Sequence, residues 1–166
     1  SDEIYEYINF TGNYTSMAEI DGLYDRTITV NGLSKAFAMT GWRIGYLAAP
    51  EWIAKACNKV QGQVTSGTNA IAQRASIVAL RAPKSKIQYM IDEFLKRRNL
   101  VLQLLGEIKG LKLNVPEGAF YVFPDVSSFF GKTLRGRTIN NASDFSLYLL
   151  EEAGVATVTG EAFGDP

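Results

Sequence analysis

The sequence predicts an α/β fold in which a long helix leads from an α/β part to a smaller α+β part. Three observations carry this. Short β-branched runs such as Arg26 to Val30 are followed by turn residues and then by helical patterns. From Lys84 to Lys109 the apolar residues Ile87, Met90, Ile91, Phe94, Leu95, Val101, Leu102, Leu105 and Ile108 recur at helical spacing. Beyond them Leu111, Leu113 and Val115 alternate with polar residues, as in a strand with one covered face.

Taken in order, Ile4 to Phe10 is rich in β-branched and aromatic residues and reads as the end of a strand. Thr11 to Asp25 is polar and Tyr-rich, an irregular connection. Arg26 to Val30 is a short strand, and Asn31-Gly32 signals a turn that presents Ser34 and Lys35 at its C-terminal end, the edge where open α/β sheets gather ligands. Trp42 to Ala49 reads as a strand stopped by Pro50. Glu51 to Gln63 and Asn69 to Leu80 are helical, with a break near Thr65-Ser66-Gly67, and Pro83 closes that region. Gly110 is a suitable stop for the long helix. Leu111 to Val115 and Ala119 to Phe123 form two strands about the turn Pro116-Glu117-Gly118. Ser127 to Asn141 is a loop; Ser143 N-caps a helix through Glu152, Gly154 closes it, and Val155 to Val158 is a last strand.

Composition narrows the chemistry. The chain has 166 residues, the length of an ordinary domain. Its 17 basic and 17 acidic side chains balance, which argues against nucleic acid as a partner. No apolar run is long enough to span a bilayer, and Ser1-Asp2-Glu3 lacks the basic and apolar regions of a signal peptide. One cysteine, Cys57, allows no internal disulfide and fits a reducing compartment, hence a cytoplasmic protein. Lying among Ala54, Ala56 and Val60, it reads as a buried small hydrophobe. Histidine is absent, which removes Ser-His and Cys-His catalysis and imidazole metal sites, and no metal site is expected.

The run from Thr27 to Tyr46 places Lys35 among apolar and small residues, with no other charge until Arg43. An amine in apolar surroundings near a fixed cation is poised to lose its proton and to attack an aldehyde or ketone. Arg43, inside an apolar run, needs an anionic partner if buried. Its planar fork suits a phosphate or carboxylate, although an edge-strand arginine paired with a surface acid reads equally well. An amine for a carbonyl and a fork for a phosphate are together what pyridoxal 5'-phosphate requires, and a carboxylate usually sets its ring nitrogen. Asp2 is a candidate for that carboxylate and Tyr5 for a hydroxyl at the phenolic oxygen; without a template they read as a solvated terminal residue and a packing residue.

The run Ser34-Lys35-Ala36-Phe37-Ala38-Met39-Thr40-Gly41-Trp42-Arg43-Ile44-Gly45-Tyr46 closely resembles the lysine-site signature of fold type I pyridoxal-phosphate aminotransferases of class I and II, the bacterial aspartate aminotransferase branch above all. Ser1-Asp2-Glu3-Ile4-Tyr5-Glu6, Pro116-Glu117-Gly118-Ala119-Phe120-Tyr121 and Glu152-Ala153-Gly154-Val155-Ala156 resemble further segments of that family in the same order. The resemblance implies part of a large domain with a mixed, mostly parallel sheet over residues 1–83, a connecting helix over 84–110, and part of a small domain over 111–166. It implies Lys35 as the catalytic residue, Schiff-base partner of pyridoxal phosphate and proton shuttle. Arg43 would sit on the phosphate, Asp2 on the pyridine nitrogen and Tyr5 on the phenolic oxygen. Many relatives have a phosphate-binding serine three residues before the lysine; Gly32 stands there in this chain, and Ser34 is a substitute.

Family members are more than twice this length, so the chain is expected to be a portion of such an enzyme and by itself a poor catalyst. The arginine that grips the substrate carboxylate has no match here. Expected partners are an amino acid such as aspartate, a 2-oxo acid such as 2-oxoglutarate, and a second copy of the chain approached by Gln63 to Asn69. A lyase of the same superfamily and an inert interaction module are the alternative readings.

Overall fold

A computed structural model describes residues 1–164 of the chain. They divide into two compact units, one of residues 1–97 with 117–120, the other of 98–116 with those from 121 onward.

The first unit is built around strand β1 (Thr29–Gly32). It pairs antiparallel with β2 (Gly45–Ala48), Thr29 opposite Ala48 and Gly32 opposite Gly45. Val30 spends both backbone groups on the start of the chain. Its N–H donates to the Ser1 carbonyl and its carbonyl accepts from the Glu3 N–H, each at 2.8 Å, and Asp2 forms a parallel bridge with it. Successive residues of a strand point their hydrogen-bonding groups to opposite edges, so β2 occupies the other edge. The α/β class holds, with a parallel neighbour on one side of β1 and an antiparallel one on the other. Gly32 and Gly45 let the backbones close: a Cβ on Gly45 would lie 3.0 Å from the Asn31 carbonyl, and one on Gly32 would lie 3.2 Å from Ile4 Cδ1.

Three local expectations shift here. Asn31-Gly32 ends β1 instead of turning, because Asn31 pairs with Tyr46 and its own Oδ1 accepts from the Gly32 N–H at 2.7 Å. The turn falls on residues 34–37. Residues 4–7 form turns and no strand, with Glu6 N–H bonded to the Glu3 carbonyl and Ile8 N–H to that of Tyr5. Burial of Ile8 in the core bends the segment and overrides its β propensity. The strand expected over Trp42 to Ala49 is shortened, because Thr40–Trp42 is a 3-10 turn and Arg43 adopts a left-handed conformation that cannot continue a strand.

The helices follow their sequence signals. Helix α1 (Glu51–Val64) starts after Pro50, and α2 (Ala70–Arg81) after Asn69, whose Oδ1 accepts from the Ala72 N–H at 2.9 Å. Pro83 precedes a 3-10 turn at Lys84–Lys86, and α3 (Gln88–Gly106) follows. Ile87 and Ile91 pack on Ala36, ringed by Tyr7, Phe10, Phe37 and Met90. The N-terminal part of α3 thus covers the turn that carries Lys35. Helix α1 buries none of its residues, and Cys57 is half-buried where burial was expected.

In the second unit the expected strand pair around residues 111–123 reduces to one antiparallel bridge, Lys112 with Asp125, reinforced by a 2.9 Å ion pair. The loop expected over 127–141 contains a small hairpin, β3 (Thr133–Leu134) with β4 (Arg137–Thr138). It turns through Arg135 and Gly136, both at positive φ, as a tight hairpin requires. Helix α4 (Ala142–Ala153) is capped two residues earlier than expected: Asn141 Oδ1, not Ser143, accepts from the Asp144 N–H. Gly154, at φ +67°, closes it as expected. Arg135 and Arg137 pair with Glu152 and Glu151 of α4, at 3.1 and 2.5 Å. Phe129 stacks on Phe145, and Ile139 is fully buried. Val155 to Val158 has no strand partner among the described residues.

Candidate active site

Lys35 lies in the turn after β1, between two buried anchors. Leu33 is 1 % and Ala36 3 % exposed. The Leu33 carbonyl accepts from the N–H groups of Phe37 and Met39, at 3.2 and 3.3 Å, and the Ser34 carbonyl accepts from Thr40 Oγ1 at 3.0 Å. A turn tied down on both sides of one long side chain fixes the root of that chain and leaves its tip to be placed by neighbours. Those neighbours are aromatic. Lys35 Nζ lies 5.7 Å from the ring centre of Tyr5 and 5.2 Å from that of Phe120, within cation–π range of both. The amine has no hydrogen-bond or ion-pair partner among the described residues.

Asp2 runs beside β1 in the parallel sense, so the segment leading to Tyr5 and the turn holding Lys35 leave the sheet at the same edge. Three backbone ties hold this segment, the third from the Ser1 nitrogen to the Ile28 carbonyl at 2.8 Å. Asp2 is exposed, and its Oδ1 accepts from the Ile4 N–H at 3.2 Å. Asp2 and Tyr5 line one open hollow of about 450 Å³ with Glu3, Glu6, Tyr14 and Gly118.

Glu3 was not singled out by sequence reasoning. It is buried, and its Oε1 accepts from Ser16 Oγ at 2.9 Å and the Met17 N–H at 3.1 Å, clamping the irregular segment that follows. Burial pushes its carboxyl up, but hydrogen bonds from Tyr14, Ser16, Met17 and Ser1 outweigh it and hold the group below the usual range. Burial, then the bond and charge of Glu3, push the Tyr14 phenol up. Burial and the neighbouring Glu3 charge raise Glu6, opposed by a bond from Asn31.

A carboxylate depressed in the fold stabilises it above its unfolded value and loses that contribution as pH falls through the lowered folded value. Protection of the Met17 amide from hydrogen exchange is therefore expected to fall as pH drops through and below the usual carboxylate range. In Glu3→Gln it should be weaker and independent of pH over that range. Equal acid sensitivity in both proteins would remove Glu3 as the cause.

Arg43 stands apart. It is exposed, at φ +49°, and its Nη1 donates to the Thr40 carbonyl at 2.9 Å. Ala38, at φ +53°, bounds the other end of the same connection. Two non-glycine residues in the left-handed region are an unfavourable feature of the kind that gathers at ligand sites. Arg43 lines a second open hollow of about 760 Å³ with Ala38, Gly41, Trp42, Asn69, Ile71 and Ala72. Ser34 is half-buried in the Lys35 turn. The structure therefore brings Lys35 and Tyr5 together and sets Asp2 beside Tyr5, while Arg43 faces a different hollow.

Phe120 is the other residue that sequence reasoning passed over. The antiparallel bridge of Gly118 with Asn9 brings it in, with hydrogen bonds of 2.8 Å from Phe10 N–H to the Glu117 carbonyl and from Ala119 N–H to the Ile8 carbonyl. The likeness of Pro116-Glu117-Gly118-Ala119-Phe120-Tyr121 to a family segment was the one signal available, and it gave Phe120 no role of its own.

The donor set fits pyridoxal phosphate. A primary amine, a carboxylate, a phenol and a guanidinium are the group types that its aldehyde, ring nitrogen, phenolic oxygen and phosphate call for, with the guanidinium of Arg43 lining a separate hollow from Asp2 and Tyr5. Among the described residues no group of His, Cys, Asp and Glu could hold a metal ion, and no helix is long and apolar enough to cross a membrane.

The family model for aminotransferase class I and II matches residues 1–166, and the chain belongs to that family. It is 48 % identical over 170 residues to the bifunctional aspartate aminotransferase and glutamate/aspartate-prephenate aminotransferase of Petunia hybrida, covering 99 % of this chain and 36 % of that protein. It is 47 % identical to the aspartate/prephenate aminotransferase of Cereibacter sphaeroides, covering 42 % of it. The crystal structure of the aspartate aminotransferase from Rhizobium meliloti superposes with a TM-score of 0.92 at 46 % identity, over 99 % of this chain and 42 % of that one. The aromatic aminotransferase of Pyrococcus horikoshii gives 0.85 at 40 % identity, again over 99 % and 42 %. The chain thus spans well under half the length of the relatives it matches.

Proposed function

We propose that the chain supplies the lysine-bearing part of a pyridoxal-phosphate-dependent aminotransferase that moves an amino group between an amino acid, aspartate first, and a 2-oxo acid, 2-oxoglutarate first. The observation that carries this reading is the Lys35 amine, rooted in a turn pinned by Leu33 and Ala36 and free of polar partners at the C-terminal edge of β1. Residues 1–83 then belong to the cofactor-binding large domain, 84–110 to the connecting helix and 111–166 to the small domain.

When bound, pyridoxal phosphate supplies an aldehyde for a primary amine and a ring that withdraws electrons from the substrate α-carbon. Lys35 would be the nucleophile toward that aldehyde, and its amine, when free, would carry the proton between the substrate α-carbon and the carbon that bore the aldehyde. Asp2 holds the proton on the ring nitrogen, and Tyr5 orients the phenolic oxygen. Arg43 binds the phosphate with Ser34 nearby. Gly32 leaves no side chain for that task, and its packing against Ile4 and Ile44 favours glycine there.

A visible spectrum of the chain mixed with pyridoxal phosphate, followed by borohydride reduction and mass mapping, tests the reading. A reduced adduct at Lys35 is the expected result, and none at Lys35 overturns it. Coverage of well under half of the relatives supports slow or absent turnover by the chain alone; full turnover of aspartate with 2-oxoglutarate would overturn that part. Arg43→Ala is expected to weaken cofactor binding by about 2–3 kcal/mol, the loss of a charge-assisted contact. A fluorescence titration measures it, and an unchanged Kd removes Arg43 from the phosphate.

The same reading makes the protein a cytoplasmic homodimer, with Gln63 to Asn69 approaching the partner. Val64 and Ile71, at 74 % and 73 % exposed, offer apolar surface at and beside that segment. Light scattering of the full-length protein would decide it, and a monomer would dismiss the dimer.

A further inference from the structure

Resting on the reading of Lys35 as the cofactor-linked residue, we infer that Phe120 is the positioning residue for its amine, holding Nζ between its own ring and that of Tyr5. Four aromatic contacts define the device. Nζ is 5.2 Å from the Phe120 centroid and 5.7 Å from that of Tyr5. The Tyr5 and Phe120 rings meet edge to face at 5.2 Å, and Phe94 of α3 stacks on Phe120 at 5.3 Å with an interplanar angle of 21°. The amine rests at the end of a short aromatic column.

Each part of the column is fixed from a different direction. Tyr5 follows the parallel segment on β1, and Phe94 lies about one turn beyond Ile91, which is buried with Ala36 and Ile87. Phe120 follows the Gly118–Asn9 bridge. Ala119, at φ +58°, turns the chain between that bridge and the ring. A non-glycine residue in this conformation is costly, and what it accomplishes here is the delivery of an aromatic face to the amine. Lysine has four rotatable side-chain bonds, and its turn fixes only the root. With no hydrogen bond or ion pair at the tip, ring faces are what set where Nζ lies, because an ammonium is attracted to the negative face of an aromatic ring. Tyr5 thereby gains a task for its ring beside the one proposed for its hydroxyl.

Ring-current shifts test placement without any cofactor. A proton over a ring face resonates upfield, so the Lys35 ε-methylene signal should lie upfield of the other lysines in the 166-residue chain. Phe120→Tyr keeps a face and should keep the shift. Phe120→Leu and Phe120→Met keep bulk without a face and should lose most of it; the methionine variant serves if the leucine one does not fold. In a second arm, reduction with pyridoxal phosphate and borohydride is mapped over all lysines. The preference for Lys35 should fall about two- to fivefold in the ringless variants and hold in Phe120→Tyr, the range expected of an exposed cation–π contact.

An unshifted Lys35 signal in the parent chain, or ringless variants that retain both shift and preference, overturns the inference. A ring-dependent shift with no adduct at Lys35 in any variant upholds the placement and overturns the cofactor reading instead.

Discussion

Lys35→Ala is expected to abolish borohydride-stable attachment of pyridoxal phosphate while leaving non-covalent binding in place. In a full-length enzyme carrying this segment it is expected to lower transamination by about 10⁴-fold, the upper range for loss of a positioned proton-transfer group. The effect is large because one amine carries two tasks, attack on the aldehyde and movement of the proton at the α-carbon. No other lysine stands on the turn, and the Arg43 guanidinium is not a primary amine and cannot take over as the aldehyde's partner. The substitution should not disturb the fold. The turn is held by Leu33, Ala36 and backbone bonds from Phe37 and Met39, none of which involves the lysine side chain. An unchanged circular dichroism spectrum is therefore expected beside the lost adduct. A rate within tenfold of the parent would remove Lys35 from the centre of the chemistry.

What could be read from the sequence was local. Helices α1 to α4 follow from periodicity and from capping chemistry confined to a few residues, as at Asn69 and Gly154. The Lys35 segment was legible for the same reason: a strand, a turn and a lone cation lie within one short run. The misplaced elements depended on partners far along the chain. Residues 4–7 have strand composition but turn, because Ile8 is drawn into the core and its carbonyl is claimed by Ala119. The segment after Pro116 looked like the second of two strands about a turn, a hairpin or neighbouring strands. Instead Gly118 pairs with Asn9, leaving Lys112 and Asp125 to bridge alone. Asn31-Gly32 carries turn chemistry, but Tyr46 and Gly45 sit opposite and make strand residues of both. Phe120 escaped notice because nothing in its neighbours announces that its ring ends beneath an amine from the other end of the first unit.

Gly118→Val is expected to be the most destabilising single substitution at the bridge that delivers Phe120. A Cβ at this position would lie 2.8 Å from the Ile8 carbonyl oxygen. That oxygen is backbone, belongs to a residue 2 % exposed, and already accepts from the Ala119 N–H at 2.8 Å, so it cannot step aside as a flexible side chain would. The bridge must open, straining the bonds of Ala119 and of Phe10 with Glu117. Overpacking costs about 1–3 kcal/mol, and each strained hydrogen bond adds about 1 kcal/mol. A loss of about 3 kcal/mol is a large share of what holds a domain of this size together. Gly62→Ala in the last turn of α1 provides the opposite case: nothing lies within 4 Å of a Cβ there, and removing a helical glycine near the end should gain up to about 0.5 kcal/mol, the low end of the mid-helix range. Urea unfolding should therefore move the two midpoints in opposite directions. The ring-current shift of Lys35 should disappear in the valine variant at urea concentrations where it remains folded, because Phe120 is carried away with the bridge. A Gly118→Val protein with the parent's midpoint and an intact Lys35 signal would show that the close approach at Ile8 is not what sets the aromatic ledge in place.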